Sequence, residues 1–354
     1  MNYRFRIPFA AALLAATIVA CSDSTTEPVD TDAQTTTAVL NDLAYKVILP
    51  TYVELDQKAQ VLADAVAALQ TGITDAKLEA ARQAWRDARR PWEQSEGFLF
   101  GPVDTKGIDP SIDSWPVNKT DLDAVLASSA TLTKEYIDGL EGTQKGFHTI
   151  EYLIFGTNET KPASAMTPRE IEYLVAVTQS FKAATAQLRH SWEASGDNFA
   201  AQFANAGGTS TIYTSQRSAL EDIVGGMAGI CDEVANGKIN GAFTQQDRTL
   251  EESQFSNNSN ADFQDNIRSV KNLYMGTYGA NSGKGVSQLV AAKNSTLDTR
   301  VRAEIDAAIA AIGAMQPSFG EAIFNNKASV TAAQDAVRKL QATFEGEVTA
   351  TLLP

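Results

Sequence analysis

The chain has 354 residues, of which 43 are acidic and 29 are basic, and its net charge is −14 at pH 7. This acidic balance argues against nucleic acid as a partner, because binding to phosphates needs an excess of Lys and Arg. Only two Cys and two His are present. These counts exclude a disulfide scaffold and most histidine-built sites, so the chemistry is expected to rest mainly on carboxylates.

Residues 1–20 have the features of a secretory signal peptide. Arg4 and Arg6 form a basic start, and the apolar stretch that follows is too short to span a bilayer. The sequence of residues 18–21 (IVAC) is similar to a bacterial lipobox, in which the signal is cut before the Cys and that Cys is lipidated. We therefore predict a lipid anchor at Cys21 and a place in the cell envelope. An ordinary secretory signal is the alternative.

The residue after this Cys favours the outer membrane, because Ser22 stands where Asp would retain a lipoprotein in the inner membrane of enterobacteria. Whether the protein faces the periplasm or the exterior stays open. Residues 21–37 are predicted to comprise the lipidated Cys and a flexible tether, since they contain almost no apolar side chain. Cys231 is then the remaining thiol, and we predict that it is buried in a helix without a partner.

From residue 38 onward, apolar residues recur at helical spacing, which predicts an all-α protein. One apolar stripe per helix and short connecting turns are typical of antiparallel bundles. A boundary near Gly196 separates residues 38–196 from residues 197–354, and each part has enough helices for a four-helix bundle.

Local signals mark where some of these helices begin and end. Thr167, Pro168 and Glu170 have the spacing of a capped helix start. Asn236–Gly237 predicts a helix stop. Residues 101–118, with three prolines, and the glycine-rich residues 276–287 do not fit a helix. Long irregular segments inside compact bundles are more often functional than neutral.

Several common catalytic motifs are missing from the sequence. The chain has no His-Glu-x-x-His zinc motif, no Gly-x-Ser-x-Gly elbow and no P-loop, since Gly285 follows Lys284 where a Ser or Thr is needed. The sequence thus gives no support to nucleotide chemistry or to a common zinc-protease helix.

One pair of short motifs could form a metal site. His148 and Glu151 are three residues apart on a predicted helix, so their side chains share one face, and Glu93 and Glu96 have the same spacing on another. Such ligands resemble the carboxylate-rich metal sites of helical bundles. In the alternative, His148 is hydrogen-bonded to a nearby Glu while Glu93 and Glu96 lie on a solvated face. We predict that His190 is a structural or surface residue.

Residues 146–151 (GFHTIE) match the Gly-x-His-x-x-Glu signature of the imelysin family. Other segments resemble the same family in order along roughly residues 38–350, namely 85–96 (WRDARRPWEQSE), 98–102 (FLFGP), 112–116 (IDSWP), 252–259 (ESQFSNNS), 262–266 (DFQDN) and 274–276 (YMG). The resemblance implies two packed helical bundles that arose by duplication, with the shared residues gathered in the cleft between them.

The resemblance also implies a set of site residues. His148, Glu151, Glu96 and Glu93 are the expected metal ligands, and Asp113 is the next candidate. We expect the cleft to be lined by Trp115, Ser256, Ser259 and Asp262. Ser259 and Asp262 are helix-capping residues in the alternative interpretation.

Members of the family are envelope lipoproteins or periplasmic proteins that are often linked to iron uptake, and the founding description was a metallopeptidase that cleaves insulin. The favoured hypothesis is therefore a membrane-anchored protein that binds a divalent or ferric ion, with iron favoured and zinc as the alternative, and takes part in iron uptake or handling. A metallopeptidase at the same site is the second hypothesis, although no general base can be identified. An interaction partner of an uptake receptor is the third.

Overall fold

The computed structural model describes residues 31–354, except for the side chains of Thr31 and Asn158. The residues from Asp32 to Pro354 form one compact unit. The predicted signal peptide and Cys21 lie outside the described residues. The prediction of an all-α protein is confirmed. Within the described part of the chain, no helix combines the length and the apolar character needed to cross a membrane.

The first helices run from the start of the described region to the middle of the chain. They are α1 (Thr31–Asp42), α2 (Leu49–Leu69), α3 (Asp75–Glu93), α4 (Pro102–Thr105), α5 (Asp109–Ile112), α6 (Lys119–Ala127), α7 (Lys134–Asp138), α8 (Gly146–Phe155) and α9 (Pro168–Trp192). A π-helical segment, Leu43–Ile48, joins α1 to α2. Short 3₁₀ turns lie at Glu96–Phe98, Gly142–Gln144, Thr157–Glu159 and Ala163–Ala165.

The second set of helices completes the chain. They are α10 (Phe199–Ala204), α11 (Gln216–Asp232), α12 (Asn240–Gln245), α13 (Ser259–Met275), α14 (Val286–Lys293), α15 (Ser295–Gly313), α16 (Phe319–Asn325), α17 (Lys327–Thr343) and α18 (Thr349–Leu352). Two further π-helical segments are Glu233–Ile239 and Phe344–Val348, and a 3₁₀ turn lies at Arg248–Leu250. In the glycine-rich stretch, β1 (Thr277–Tyr278) and β2 (Asn281–Ser282) form a small antiparallel hairpin.

The long helices pack in two groups. Helices α2, α3, α8 and α9 contact one another, and so do α11, α13, α15 and α17. The groups touch where α13 packs against α3 and where α11 packs against the turn Glu96–Phe98. The division of the chain at residues 196 and 197 remains a prediction.

Part of the predicted tether is helical, because α1 begins at Thr31. Thr36 Oγ1 donates to the Asp32 carbonyl at 3.0 Å, and Thr37 Oγ1 donates to the Ala33 carbonyl at 3.0 Å. Gln216 Nε2 donates to the Ala33 carbonyl at 3.0 Å, and Leu40 is fully buried. These tertiary contacts extend the helix into a segment whose composition alone does not favour one.

Of the two helix boundaries that the sequence predicted, the start of α9 is correct and the stop at Asn236–Gly237 is wrong. Thr167 and Glu170 form a reciprocal capping box at the start of α9, with Pro168 at the first helical position. At Asn236–Gly237, however, the helix does not stop. It continues through the π-helical segment Glu233–Ile239 into α12, held by buried apolar neighbours on both sides of the glycine. Cys231 is buried in α11 and forms no disulfide bond within the described residues, as predicted.

Candidate metal centre

The candidate ligands come from several separate segments. His148 and Glu151 lie one turn apart on α8, where the apolar residues around them bury this helix almost completely. Glu93 is the last residue of α3, and Glu96 begins the turn that follows. Asp113 follows α5 in the proline-rich stretch.

The imidazole of His148 lies between two carboxylates and is only 1 % exposed. Its Nδ1 is 3.0 Å from Glu151 Oε2, and its Nε2 is 3.1 Å from Asp113 Oδ1. The second contact is not aligned as a hydrogen bond, so Nε2 has no directed partner among the residues that the structure describes. When the ring is protonated, this nitrogen and Asp113 form an ion pair.

Glu151 ties the ring to a distant segment of the chain. Its Oε1 accepts hydrogen bonds from Phe255 N at 3.1 Å, from Ser256 N at 2.8 Å and from Ser256 Oγ at 2.7 Å. With Oε2 on the imidazole, both oxygens of Glu151 are engaged. Its geometry is that of a group that orients a metal-binding histidine.

Two overlapping sets of possible ligand atoms form beside the ring. Asp113, His148 and Glu252 make up the first set, and Glu93, Glu96, Asp113 and Glu252 make up the second, with the atoms of each set within 4.8 Å of one another. The two sets share Asp113 and Glu252. In the described region, Glu252 Oε2 accepts no hydrogen bond.

Arg89, which is completely buried, holds the carboxylates from one side. Its guanidinium contacts Asp113 Oδ1 at 2.6 Å and Glu252 Oε1 at 3.3 Å, and it pairs with Glu93. It also reaches Asp262 Oδ1 at 3.4 Å. The fork of this side chain suits several carboxylates at once, because its five donors lie in one plane.

Lys238 holds the carboxylates from the other side. Its ammonium lies 2.7 Å from Glu96 Oε2 and 2.9 Å from Glu252 Oε1. Asn266 Nδ2 donates to Glu93 Oε2 at 2.6 Å and to Glu96 Oε2 at 2.9 Å. The second set of carboxylates is thus already supplied with donors.

The negative charge of the cluster exceeds its positive charge. The acids are Glu93, Glu96, Asp113, Glu151, Glu252 and Asp262, while Arg89 and Lys238 are the permanent cations. Even a protonated imidazole leaves the carboxylates in excess. Buried charge of one sign is costly unless it takes up protons or a cation.

The pKa values of the acids reflect this crowding. Burial raises the pKa of Glu93 and of Glu96 well above the usual range, and neighbouring carboxylates raise it further. Burial likewise raises the pKa of Asp262 to about 6.

The pKa values of Asp113 and His148 are shifted by the contact between the two side chains, which lowers the first and raises the second. Burial alone would raise the pKa of Asp113, but Arg89 and His148 hold it well below its usual range. Burial alone would lower the pKa of His148, but Asp113 and Glu151 raise it to about 9. Without another cation, the ring therefore carries a proton at neutral pH, and a bound metal ion would replace that proton.

The structure brings together most of the residues that the sequence singled out. His148, Glu93, Glu96 and Asp113 lie in one cluster. The alternative of Glu93 and Glu96 on a solvated face is wrong, since the side chain of Glu93 is fully buried and that of Glu96 is only 7 % exposed. The hydrogen bond between His148 and a nearby Glu, which that alternative also contained, is present. Glu151 lies beside the ring rather than in either set of converging ligand atoms.

The predicted cleft residues lie around this cluster. Ser256 donates to Glu151, and Ser259 Oγ accepts from Ser253 N at 3.1 Å. Asp262 accepts from Ser253 Oγ at 2.5 Å and from Asn258 Nδ2 at 2.8 Å. Trp115 Nε1 donates to the Glu251 carbonyl at 3.3 Å. Neither Ser259 nor Asp262 caps α13, because both side chains bond elsewhere.

Three residues of the charged cluster were not predicted from the sequence. Arg89 and Glu252 stand in segments that resemble the family, so those segments were the available signal. Lys238 follows the wrongly predicted helix stop, and nothing in the local pattern marks it.

Comparisons with known proteins agree with this architecture. The sequence model of the imelysin family matches residues 48–344. The chain is 32 % identical over 248 residues to iron-regulated protein A of Synechococcus elongatus. That match covers 70 % of this chain and 66 % of the relative, just under two thirds of the relative's length.

Two crystal structures are similar in fold. A protein assigned as an iron-regulated protein A precursor from Parabacteroides distasonis superposes with a TM-score of 0.82 at 28 % identity, covering 90 % of this chain and 95 % of the other. An imelysin-like protein from Psychrobacter arcticus 273-4 superposes with a TM-score of 0.73 at 14 % identity, covering 90 % and 96 %. The second likeness concerns the fold alone.

Proposed function

The chain belongs to the imelysin family, and from this membership we propose that it binds a metal ion, iron rather than zinc, at the cluster around His148. We further propose that it takes part in iron uptake or handling. The observation that carries the proposal is the convergence of Asp113, His148 and Glu252 within 4.8 Å, all buried or nearly so.

The residues present fit such an ion. In the described part of the chain Glu252 Oε2 accepts no hydrogen bond, and His148 Nε2 faces Asp113 Oδ1 at 3.1 Å, where a metal ion would replace the ring proton. Asp113, His148 and Glu252 would hold the ion, and Glu151 would orient the ring. Carboxylate and imidazole ligands suit iron, and a bound cation would offset the excess negative charge of the cluster.

The choice of iron has support from the relatives. One relative of this chain and one similar structure carry the name iron-regulated protein A. We propose that the chain acts at the cell envelope, anchored through Cys21 at the outer membrane, with components of iron uptake as its partners.

Burial favours binding over hydrolysis. A metallopeptidase must admit a peptide to the metal and present a general base to water. His148 is 1 % exposed and Glu252 is 3 % exposed, and both oxygens of Glu151 are engaged in hydrogen bonds. Chelator-sensitive cleavage of an unfolded protein, abolished by Glu151→Gln, would instead support the metallopeptidase.

Anaerobic equilibrium dialysis with Fe²⁺, followed by elemental analysis, tests the proposal on a chain that begins at Ser22. We expect the unchanged chain to bind iron and His148→Ala to lose at least about tenfold in affinity, because one of three ligands is removed. His190→Ala is the matched control, since His190 is exposed and far from the cluster in sequence. Equal iron binding by His148→Ala and the unchanged chain would refute the site.

A further inference from the structure

The two overlapping sets of ligand atoms have the form of a site for two cations. Asp113 and Glu252 belong to both sets, as bridging carboxylates do in two-metal centres. His148 completes the first set, while Glu93 and Glu96 complete the second. The carboxylates alone would therefore allow two ions to lie side by side.

An ammonium group already lies within the second set. Lys238 Nζ is 2.7 Å from Glu96 Oε2, 2.9 Å from Glu252 Oε1 and 3.7 Å from Glu93 Oε2. One lysine thus contacts three of the four carboxylates in that set. The side chain is 2 % exposed, so its charge is neutralised by these carboxylates rather than by water.

The backbone holds Lys238 in this place. It lies in the π-helical segment Glu233–Ile239, where Val234, Ala235 and Ile239 are also buried. A π-helical turn inserts an extra residue and changes which side chains face inward, and such turns are frequent at functional sites. Asn266 Oδ1 lies 3.4 Å from the ammonium and gives it a further acceptor.

The first set contains no lysine, although Arg89 contacts two of its three members. Lys238 forms ion pairs with Glu93, Glu96, Glu233 and Glu252, and these do not include Asp113. Arg89 contacts Asp113 Oδ1 at 2.6 Å and Glu252 Oε1 at 3.3 Å, which leaves Glu252 Oε2 without a hydrogen bond in the described region. His148 Nε2 is likewise without a directed partner there.

We propose that Lys238 takes the position of a second cation, so that this centre binds one metal ion where its carboxylates could bind two. The inference rests on the proposed function and specifies its stoichiometry. Lys238 is then a specificity-determining residue, because it excludes the second ion without contacting the first set's histidine.

The test counts Mn²⁺ ions per chain by elemental analysis after gel filtration and examines their coupling by electron paramagnetic resonance. Lys238→Gln removes the charge and shortens the side chain, whereas Lys238→Arg is the matched control that keeps the charge. We expect one ion in the unchanged chain and in Lys238→Arg, and two ions in Lys238→Gln. The two ions should give an exchange-coupled spectrum, because they would share carboxylates.

The possible outcomes separate the two proposals. Two ions in the unchanged chain, or one ion in Lys238→Gln, would overturn the role of Lys238 and leave the metal centre intact. No ion in the unchanged chain would remove the proposed function itself. If Lys238→Gln does not fold alone, it is refolded with Mn²⁺. Recovery with two ions supports the inference, and a chain that stays unfolded at saturating Mn²⁺ overturns it.

Discussion

At the scale of single residues, Glu151 connects the imidazole of His148 to the segment that contains Phe255 and Ser256. One of its oxygens faces the imidazole of His148, and the other accepts three hydrogen bonds from Phe255 and Ser256. A proton on Nδ1 would be shared with Glu151, which leaves Nε2 as the nitrogen for a metal ion. Glu151 therefore acts on the ion through the ring.

Glu151→Gln should weaken Mn²⁺ binding by about 10- to 100-fold without changing the number of ions per chain, as for other residues that orient a ligand. A calorimetric titration measures both quantities. Glu135→Gln is the control, because Glu135 is exposed on α7. If Glu151 were itself a ligand with no role in orientation, the number or geometry of bound ions would change instead.

At the scale of elements, the turn Glu96–Phe98 is clamped between two helices. A Cβ atom on Gly226 of α11 would lie 2.3 Å from the Gly97 carbonyl oxygen, so the helix backbone approaches the turn closely. On the other side, Gly97 N donates to Ser269 Oγ of α13 at 3.0 Å. This clamp places Glu96 beside Lys238.

Gly226→Ala should lower the free energy of unfolding by about 1–3 kcal/mol, since the added methyl group overlaps a backbone atom that cannot move freely. Urea denaturation measures the change. Gly225→Ala is the matched control on the same helix, because no atom lies within 4 Å of the new Cβ. That variant should gain about 0.5–1 kcal/mol from helix propensity. Equal effects of the two substitutions would contradict the clamp.

The helical elements could be predicted more completely than the centre they carry. Apolar spacing and caps are local, so the all-α fold and the start of α9 at Pro168 followed from the sequence. His148 and Glu93 were identified because their spacings resemble those of known metal sites. Lys238 could not be found in this way, since a π-helical turn departs from the 3.6-residue period and the Asn236–Gly237 pair resembles a helix stop.

At the scale of the whole molecule, the cluster joins segments that are far apart in sequence. Arg89 and Asp262 are 173 residues apart, and Glu151 and Ser256 are 105 residues apart. A ligand that binds here interacts only with the folded chain, because unfolding separates these groups. Binding must therefore stabilise the entire unit and not one helix.

Adding Mn²⁺ at 100 times its Kd should stabilise the fold by about 2.7 kcal/mol and raise the Tm. Differential scanning calorimetry with and without a chelator measures this shift. At the same Mn²⁺ concentration, His148→Ala with a tenfold weaker affinity should keep no more than about 1.4 kcal/mol of this stabilisation, whereas His190→Ala should behave like the unchanged chain. An unchanged Tm in all three chains would favour the receptor-partner hypothesis, in which the motif is purely structural.

The deep placement of His148, which is only 1 % exposed, also has a kinetic consequence. Solvent cannot reach such a ligand directly, so an ion would enter or leave only when the surrounding helices separate for a moment. The residence time would then be set by the opening rate of the protein and not by the strength of the coordinate bonds alone. A centre of this kind retains its ion until another event opens the molecule.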